Sequence, residues 1–199
     1  MTPLPVLPAF SGVVLTGGTS RRMGRDKALV EVGGRPLAVG VAQVLREAGA
    51  GEVFAVGGDL DALGDLGLQA IPDDHPGEGP LGGLLTALRH ASSPVVTVLA
   101  CDLPNPQPGA IRRVVAALDA DEYLVCAIPT VEGRPEPLHG AWRRSGSPEV
   151  QAAFDRGERA MHRAIAGLAS AEVHGIDPAA LADANTPAEL AAPTPTSPF

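Results

Sequence analysis

The chain has 199 residues, which is enough for one sizeable domain and too few for two ordinary ones. Apolar residues make up 45% of it and aromatic residues only 3%, and the net charge is −8. The acidic balance and the scarcity of aromatic residues argue against a nucleic-acid-binding protein. Neither a signal peptide nor an apolar run of about 20 residues is visible, so we expect a cytoplasmic protein without membrane contact.

Strands and helices are predicted to alternate along a single domain of residues 10–192, between proline-rich flexible tails at 1–9 and 193–199. The predicted strands cover 10–16, 52–56, 68–71, 94–101, 123–128 and 138–142. The predicted helices cover 36–48, 80–91, 108–118, 148–154, 159–168 and 187–192. This alternation predicts a mainly parallel sheet with helices on both faces, which is a three-layer α/β/α arrangement.

Three residues are expected at one edge of this sheet. Gly17, Asp73 and Asp102 each follow a predicted strand. Because ligands of such folds bind beyond the carboxyl ends of the strands, we expect these residues to border a ligand site.

The segment after the first strand is rich in glycine and cations. Four cations fall within seven residues: Arg21, Arg22, Arg25 and Lys27. Glycines let the backbone approach phosphate oxygens, and the cations reverse the local charge of an acidic protein. The segment therefore predicts binding of a nucleoside triphosphate, although the P-loop pattern is absent. Lys27 is the only lysine beside fourteen arginines, which indicates a site that needs a compact ammonium.

Two further segments carry candidate chemistry. Asp102 follows the most apolar predicted strand, where a single carboxylate suits Mg²⁺ completed by substrate phosphates and water. Gly77, Gly79 and Gly82 match the dinucleotide pattern GxGxxG. The glycines stand too far from the preceding strand, and Pro80 removes an amide from the turn. We therefore do not expect NAD(P) binding.

The motifs together resemble the molybdenum cofactor guanylyltransferases, within the wider nucleotidyltransferase family on a Rossmann-like fold. The resemblance covers residues 12–190 in order. It rests on LTGGTSRRMGRDK, DDHPGEGPLGGL, ACDLP, PLHGAW, GERAMHRAI and DANTPAEL. It implies that a terminal phosphate of molybdopterin or its molybdenum-loaded form attacks the α-phosphorus of GTP. GMP is then transferred and pyrophosphate is released.

The resemblance also implies residue roles. Lys27 and Arg22 would neutralise phosphates, and Asp102 would hold Mg²⁺. The expected nucleotide contacts are Leu15, Thr16, Gly17, Gly18, Lys27, Asp73, Gly79, Pro80, Leu81 and Asp102. On the pterin side, Asn185 resembles a family residue, and His139 and Arg159 are further candidates. Thr16 stands where the family usually has alanine, so its hydroxyl is a candidate modifier of base contacts.

Other residues carry weaker expectations. His139 is placed in the predicted strand over 138–142, facing the site. Arg134 is a second candidate for a pterin phosphate. Trp142, Cys101 and Cys126 are expected to be core residues, because the cysteines match no metal or disulfide pattern.

The sequence leaves three functions open. The first is the guanylyltransferase, with transient contacts to cofactor-insertion proteins or apo-molybdoenzymes. The second is a relative that uses CTP or another phosphorylated acceptor. The third is a nucleotide-binding protein of cofactor delivery without catalysis. Retention of both Lys27 and Asp102 argues against the third, because a pure binder has less need of a metal ligand.

Overall fold

The computed structural model describes residues 6–17 and 26–184. The strands there are β1 (Phe10–Leu15), β2 (Glu31–Val32), β3 (Arg35–Pro36), β4 (Glu52–Val56), β5 (Ala70–Ile71), β6 (Val95–Ala100), β7 (Cys126–Val131), β8 (Arg134–Pro135), β9 (Ala141–Arg143) and β10 (Ser170–Val173). The α-helices are α1 (Leu37–Ala48), α2 (Leu60–Asp65), α3 (Pro80–His90), α4 (Pro108–Asp119), α5 (Ser147–Asp155) and α6 (Met161–Ile165).

One large sheet organises these elements. Its strand order is β10-β7-β9-β6-β1-β4-β5, with β8 paired to β7. The interior strand β1 pairs in parallel with β4 and β6, whereas β9 lies antiparallel between β6 and β7. Because β9 reverses direction against both neighbours, the other strands of this order all run the same way. The predicted mainly parallel sheet is confirmed.

The two faces of the sheet carry separate apolar cores. Side chains of β1 alternate between them, since Phe10 and Val14 face one core while Val13 and Leu15 face the other. Helices α1, α2 and α4 bury apolar residues in the first core, and α3, α5 and α6 bury theirs in the second. The result is the three-layer α/β/α, Rossmann-like fold expected from the sequence.

Several elements differ from their predicted bounds. The strand predicted over 138–142 is wrong in its first half, where Pro137–His139 forms a 3₁₀ helix, so His139 lies outside the strand. Proline has no N–H for a strand ladder, and its φ suits the first turn of a helix. Strand β7 begins three residues later than predicted, because Asp121 accepts the N–H of Tyr123 and holds a turn there.

Short elements account for the remaining differences. Helix α6 has five residues instead of the ten predicted, since Ala160 before it is extended. The prediction missed α2, the β2–β3 hairpin, β8 and β10, all of which have two to six residues. Such segments are too short to show a period and are fixed by the pairing of neighbours. The predicted helix over 187–192 and both predicted tails lie wholly or mostly outside the described residues.

The residues expected in the core are found there. Trp142 is fully buried, and both cysteines are buried and unpaired. Burial raises the pKa of the Cys101 and Cys126 thiols to about 12, which keeps both protonated and unreactive at neutral pH. Within residues 6–17 and 26–184, no helix combines the length and the apolar character needed to cross a membrane.

Candidate functional site

A cleft of about 910 Å³ runs along the carboxyl edge of the sheet. It is bordered by the residues that follow β1, β5 and β6, including Gly17, Asp73 and Asp102. Its other wall comes from the segment after β8, the start of α6 and residues 178–183. The structure therefore brings the three residues singled out from the sequence to one site, at the expected edge.

Lys27 and Asp102 form an ion pair in this cleft. Lys27 opens a 3₁₀ helix, Lys27–Leu29, which Asp26 caps by accepting the N–H of Ala28 at 3.0 Å. The Lys27 Nζ lies 3.1 Å from Asp102 Oδ2. The two side chains are only 16% and 18% exposed, so solvent screens this pair less than a surface pair. The site thus holds a compact cation and a carboxylate side by side.

Asp73 is held rigidly at the mouth of the cleft. Its Oδ1 accepts the N–H of His75 at 3.0 Å and the hydroxyl of Thr86 at 2.9 Å. The Thr86 hydroxyl, which is fully buried in α3, also accepts the N–H of Asp74. Since Oδ1 is used in this way, the other oxygen of Asp73, Oδ2, faces Gly17. It lies 3.7 Å from the position that a Cβ on Gly17 would occupy.

The strand ends meet closely at Gly17. A Cβ added to Gly57, whose φ is +78°, would lie 2.9 Å from the Gly17 Cα, so glycine is needed there. The Thr16 hydroxyl lies 3.0 Å from the Val56 carbonyl oxygen and 2.8 Å from that of Gly57. Because its proton is donated to one of these carbonyls, the Thr16 side chain fastens the end of β1 to the end of β4.

The start of α3 forms the floor beside Asp73. Gly79 precedes the helix with φ +80°, and Pro80 occupies its first turn, where a missing N–H costs nothing. Both residues line the cleft. The Leu81 side chain is fully buried in the core below, so only its main chain is placed to meet a ligand. A Cβ on Gly82 would lie 2.8 Å from the His75 Cβ, so a glycine at this position leaves room for His75.

The opposite half of the cleft is lined by Glu136, His139 and Asp183. Burial raises the pKa of Glu136, the Asp183 carboxylate adds to this effect, and Arg134 opposes it. Burial also lowers the pKa of His139 to about 4, against the pull of Asp102 and Asp183. The His139 side chain is buried, and with this lowered pKa the histidine is neutral at physiological pH.

Arg159 also reaches the cleft, but its guanidinium is engaged by the protein. Nε donates to the Glu78 carboxylate, and NH1 donates to the carbonyl oxygens of Phe154 and Glu158, each at 2.8 Å. Arg134 lies exposed in β8. Three of the predicted site residues, Gly18, Arg22 and Asn185, lie outside the described residues.

Sequence reasoning missed three residues of the site. Glu136 and Asp183 line the cleft, and Thr86 fixes Asp73 from within α3. Asp183 stands two residues before Asn185, and the N–H of Ala184 donates to the Asp102 carbonyl at 2.9 Å. The nearness of Asp183 to Asn185 was the available signal. A buried threonine in a helix carries no such signal.

Comparison with known proteins agrees with this geometry. The MobA-like NTP transferase domain matches residues 12–173 of the chain. A protein of Burkholderia vietnamiensis named molybdenum cofactor guanylyltransferase is 32% identical over 200 residues, covering 96% of this chain and 98% of that protein. A probable molybdenum cofactor guanylyltransferase of Chloroflexus aggregans is 29% identical, covering 88% of this chain and 83% of that protein.

Solved structures show the same fold. Molybdopterin-guanine dinucleotide biosynthesis protein A of Archaeoglobus fulgidus superposes with a TM-score of 0.72 at 25% identity, covering 90% of this chain and 94% of that one. A 2-C-methyl-D-erythritol 4-phosphate cytidylyltransferase of Thermus thermophilus superposes with a TM-score of 0.67 at 20% identity, covering 89% and 94%. The second likeness concerns the fold alone. With the family domain spanning most of its length, the chain belongs to the MobA-like NTP transferase family and is a nucleotidyltransferase.

Proposed function

We propose that the chain is a molybdenum cofactor guanylyltransferase. It transfers GMP from GTP to the terminal phosphate of molybdopterin or its molybdenum-loaded form and releases pyrophosphate. The observation that carries the proposal is the pairing of Lys27 with Asp102 opposite Asp73, in one cleft at the carboxyl edge. The names of relatives that align over nearly the whole chain support the choice of substrates.

The nucleotide occupies the half of the cleft between β1 and α3. Its proposed contacts are Leu15, Gly17, Gly18, Asp73, Gly79 and Pro80, together with the main chain of Thr16 and Leu81. The N–H groups of Thr16 and Gly17 both donate to the Val56 carbonyl oxygen, and the absence of a side chain at Gly17 leaves room for a planar base beside the strand end. Asp73 Oδ2 is placed to accept from a base or ribose donor.

The described lining of the cleft favours a divalent cation. Four carboxylates face it, from Asp73, Asp102, Glu136 and Asp183, against the cations of Lys27 and Arg159. A triphosphate entering such a site needs positive charge that the described residues do not supply. No group of three or more potential metal ligands exists among those residues. This fits Mg²⁺ held by Asp102 and completed by substrate oxygens and water.

The protein's own work in the reaction is positioning and charge neutralisation. When bound, Mg²⁺ would neutralise phosphate charge beside Asp102. Lys27 binds phosphate oxygens of GTP and stabilises the charge that builds up as pyrophosphate leaves. Arg22 is proposed to assist in this. An oxygen of the acceptor phosphate forms the new bond to the α-phosphorus. The bond between the α-phosphorus and the oxygen that bridges it to the β-phosphorus breaks, and this oxygen leaves with pyrophosphate.

The acceptor lies in the other half of the cleft. We place its pterin end beside His139, with Asn185 as a further contact, because the segment before Asn185 is bonded to the Asp102 main chain. The reaction belongs to the cytoplasm, and delivery of the product implies transient contacts with cofactor-insertion proteins or apo-molybdoenzymes. The proposed domain spans residues 10–192.

Nucleotide-dependent thermal stabilisation tests this proposal. At a concentration of about 100 times Kd, a ligand adds about 2.7 kcal/mol to the free energy of unfolding, which shifts Tm by about 5–10 °C. We expect this shift with GTP and Mg²⁺, and a smaller one with CTP or ATP. In Asp102→Asn, which keeps the side-chain shape, the Mg²⁺-dependent part of the shift should disappear.

The same titration separates the alternatives. A larger shift with CTP than with GTP would favour the cytidylyl relative, whose fold is shared by the Thermus thermophilus cytidylyltransferase. Absence of any shift with all three nucleotides would contradict nucleotide binding at this cleft.

A further inference from the structure

The loop between β5 and α3, residues 72–79, carries part of the proposed nucleotide site. Asp73, Gly77 and Gly79 all line the cleft. At its first end the loop is tied to α3, through the Asp73 carboxylate and the Thr86 hydroxyl. At its second end it is tied to the opposite wall of the cleft, by contacts that centre on Arg159.

Arg159 binds the loop through Glu78. Its Nε donates to the Glu78 carboxylate, while NH1 donates to the carbonyl oxygens of Phe154 and Glu158. The carbonyl bonds hold the guanidinium in one orientation, so the Nε–H that Glu78 accepts is fixed in place. The two side chains are 39% and 49% exposed, which makes the ion pair by itself a weak contact.

Phe154 adds a second set of contacts to the same loop. The Arg159 guanidinium carbon lies 3.9 Å from the centroid of the Phe154 ring, and the His75 ring lies 4.7 Å from it. Phe154 is 8% exposed and belongs to the core under α5. Two residues of the junction, His75 from the loop and Arg159 from the other wall, therefore pack on one buried ring.

The main chains also meet at this junction. A Cβ on Gly79 would lie 3.2 Å from the Arg159 carbonyl oxygen, so the residue that precedes α3 passes directly beside Arg159. Displacement of Arg159 would consequently move Gly79 and the first turn of α3 as well as Glu78. Gly79 and Pro80 of this group line the proposed nucleotide half of the cleft.

We infer that Arg159 is a positioning residue that fastens the 72–79 loop for the nucleotide, rather than a ligand of the acceptor phosphate. Three of the five N–H donors of the guanidinium already go to Glu78 and to the two carbonyls, so these contacts serve the junction with the loop. The inference deepens the proposed function and rests on it for the identity of the nucleotide. It differs from the expectation drawn from the sequence, which gave Arg159 to the pterin side.

Three single variants, one double variant and one control test the inference. Arg159→Ala removes the guanidinium contacts of the junction, Arg159→Lys keeps the charge without the planar set of donors, and Glu78→Gln removes only the ion pair. Arg89→Ala is the control, since Arg89 pairs with Asp74 of the same loop, 3.3 Å away, but on the outer side of α3. Two quantities are measured in each: the rate of amide hydrogen exchange over residues 74–79 without ligand, and KM for each substrate.

For Arg159→Ala we expect about tenfold faster exchange in the loop and about a tenfold higher KM for GTP. The KM for the acceptor should change less than about twofold. Glu78→Gln and Arg159→Lys should shift the same two quantities in the same direction by about two- to fivefold. The double variant Glu78→Gln with Arg159→Ala should match Arg159→Ala alone, and Arg89→Ala should match the unaltered protein.

Opposite results would overturn the inference. One is a rise in the acceptor KM alone for Arg159→Ala, with the GTP value unchanged. Another is unaltered loop exchange in Arg159→Ala, which would show that the junction does not order the loop. If the unaltered protein turns over no GTP, the proposed function fails, yet the exchange rates still decide whether Arg159 fastens the loop.

Discussion

Lys27 is the residue on which the chemistry of the cleft depends most. The sequence singled it out because every other basic residue is arginine. The structure gives a physical reason for lysine, since its ammonium must fit 3.1 Å from Asp102 in a place where both side chains are mostly buried. A guanidinium is planar and larger, and its donors lie in a fixed fork.

Replacement of Lys27 by arginine should therefore lower turnover sharply. We expect kcat to fall by about 100-fold for Lys27→Arg, because the charge is kept but no longer lies where the phosphate charge develops. Initial rates of pyrophosphate release at saturating substrates measure this, with Lys27→Met as the variant that removes the charge altogether. Rates for Lys27→Arg close to those of the unaltered protein would show that any cation serves at this position.

Thr16 shows how a single residue can be assigned differently from sequence and from structure. From the sequence, its hydroxyl was a candidate to modify base contacts, because the related family has alanine there. In the structure the hydroxyl donates to a carbonyl of Val56 or Gly57. Base selection is therefore expected to depend on Asp73 and the start of α3 more than on Thr16.

Among the elements, β1 and β4 are fastened at both ends. At the carboxyl end the contact is Thr16, and at the amino end it is Glu52. The Glu52 Oε1 accepts from the Ser11 hydroxyl, and from the N–H and hydroxyl of Ser92 at 2.6 and 2.7 Å. Burial raises the pKa of Glu52, but the bonds from Ser11 and Ser92 and the charge of Arg144 outweigh it and leave the pKa lowered.

This arrangement gives a pH-dependent contribution to stability. Since the folded-state pKa of Glu52 lies below its unfolded value of about 4.5, the stabilisation is complete above that value. It is lost as the pH falls through the folded-state pKa. Glu52→Gln should lower the free energy of unfolding by about 1 kcal/mol at pH 7.

Urea unfolding from pH 7 to pH 3 measures this difference. The gap between Glu52→Gln and the unaltered protein should close as the pH drops below about 4.5. A gap that stays constant over this range would mean that the ionised form of Glu52 contributes nothing. A gap that widens would mean that the folded-state pKa of Glu52 lies above its unfolded value.

The strength of each local signal decided which elements were predictable. Helices α1, α3 and α4 were predicted within two residues of their ends, because each combines a proline at or just before its start with apolar residues at helical spacing. The antiparallel direction of β9 was not predictable, since it follows from the 3₁₀ turn at Pro137–His139 and from pairing with β6 and β7. Pairing partners of short strands are set by the whole fold.

For the molecule as a whole, the site could be located from sequence better than it could be described. Three strand ends marked by Gly17, Asp73 and Asp102 sufficed to place the cleft. The acidic character of its other half was not visible, because Glu136 and Asp183 lie in separate segments that only the fold brings together. The engagement of Arg159 by Glu78, 81 residues away in sequence, was hidden for the same reason.

The guanylyltransferase assignment is tested most directly by pyrophosphate release from the protein with molybdopterin, Mg²⁺ and one nucleotide at a time. We predict release with GTP, equal in amount to the pterin–GMP product, dependent on Mg²⁺ and much slower with CTP or ATP. Release with CTP but not with GTP would contradict the assignment. No release with any nucleotide that binds would instead point to a non-catalytic protein of cofactor delivery.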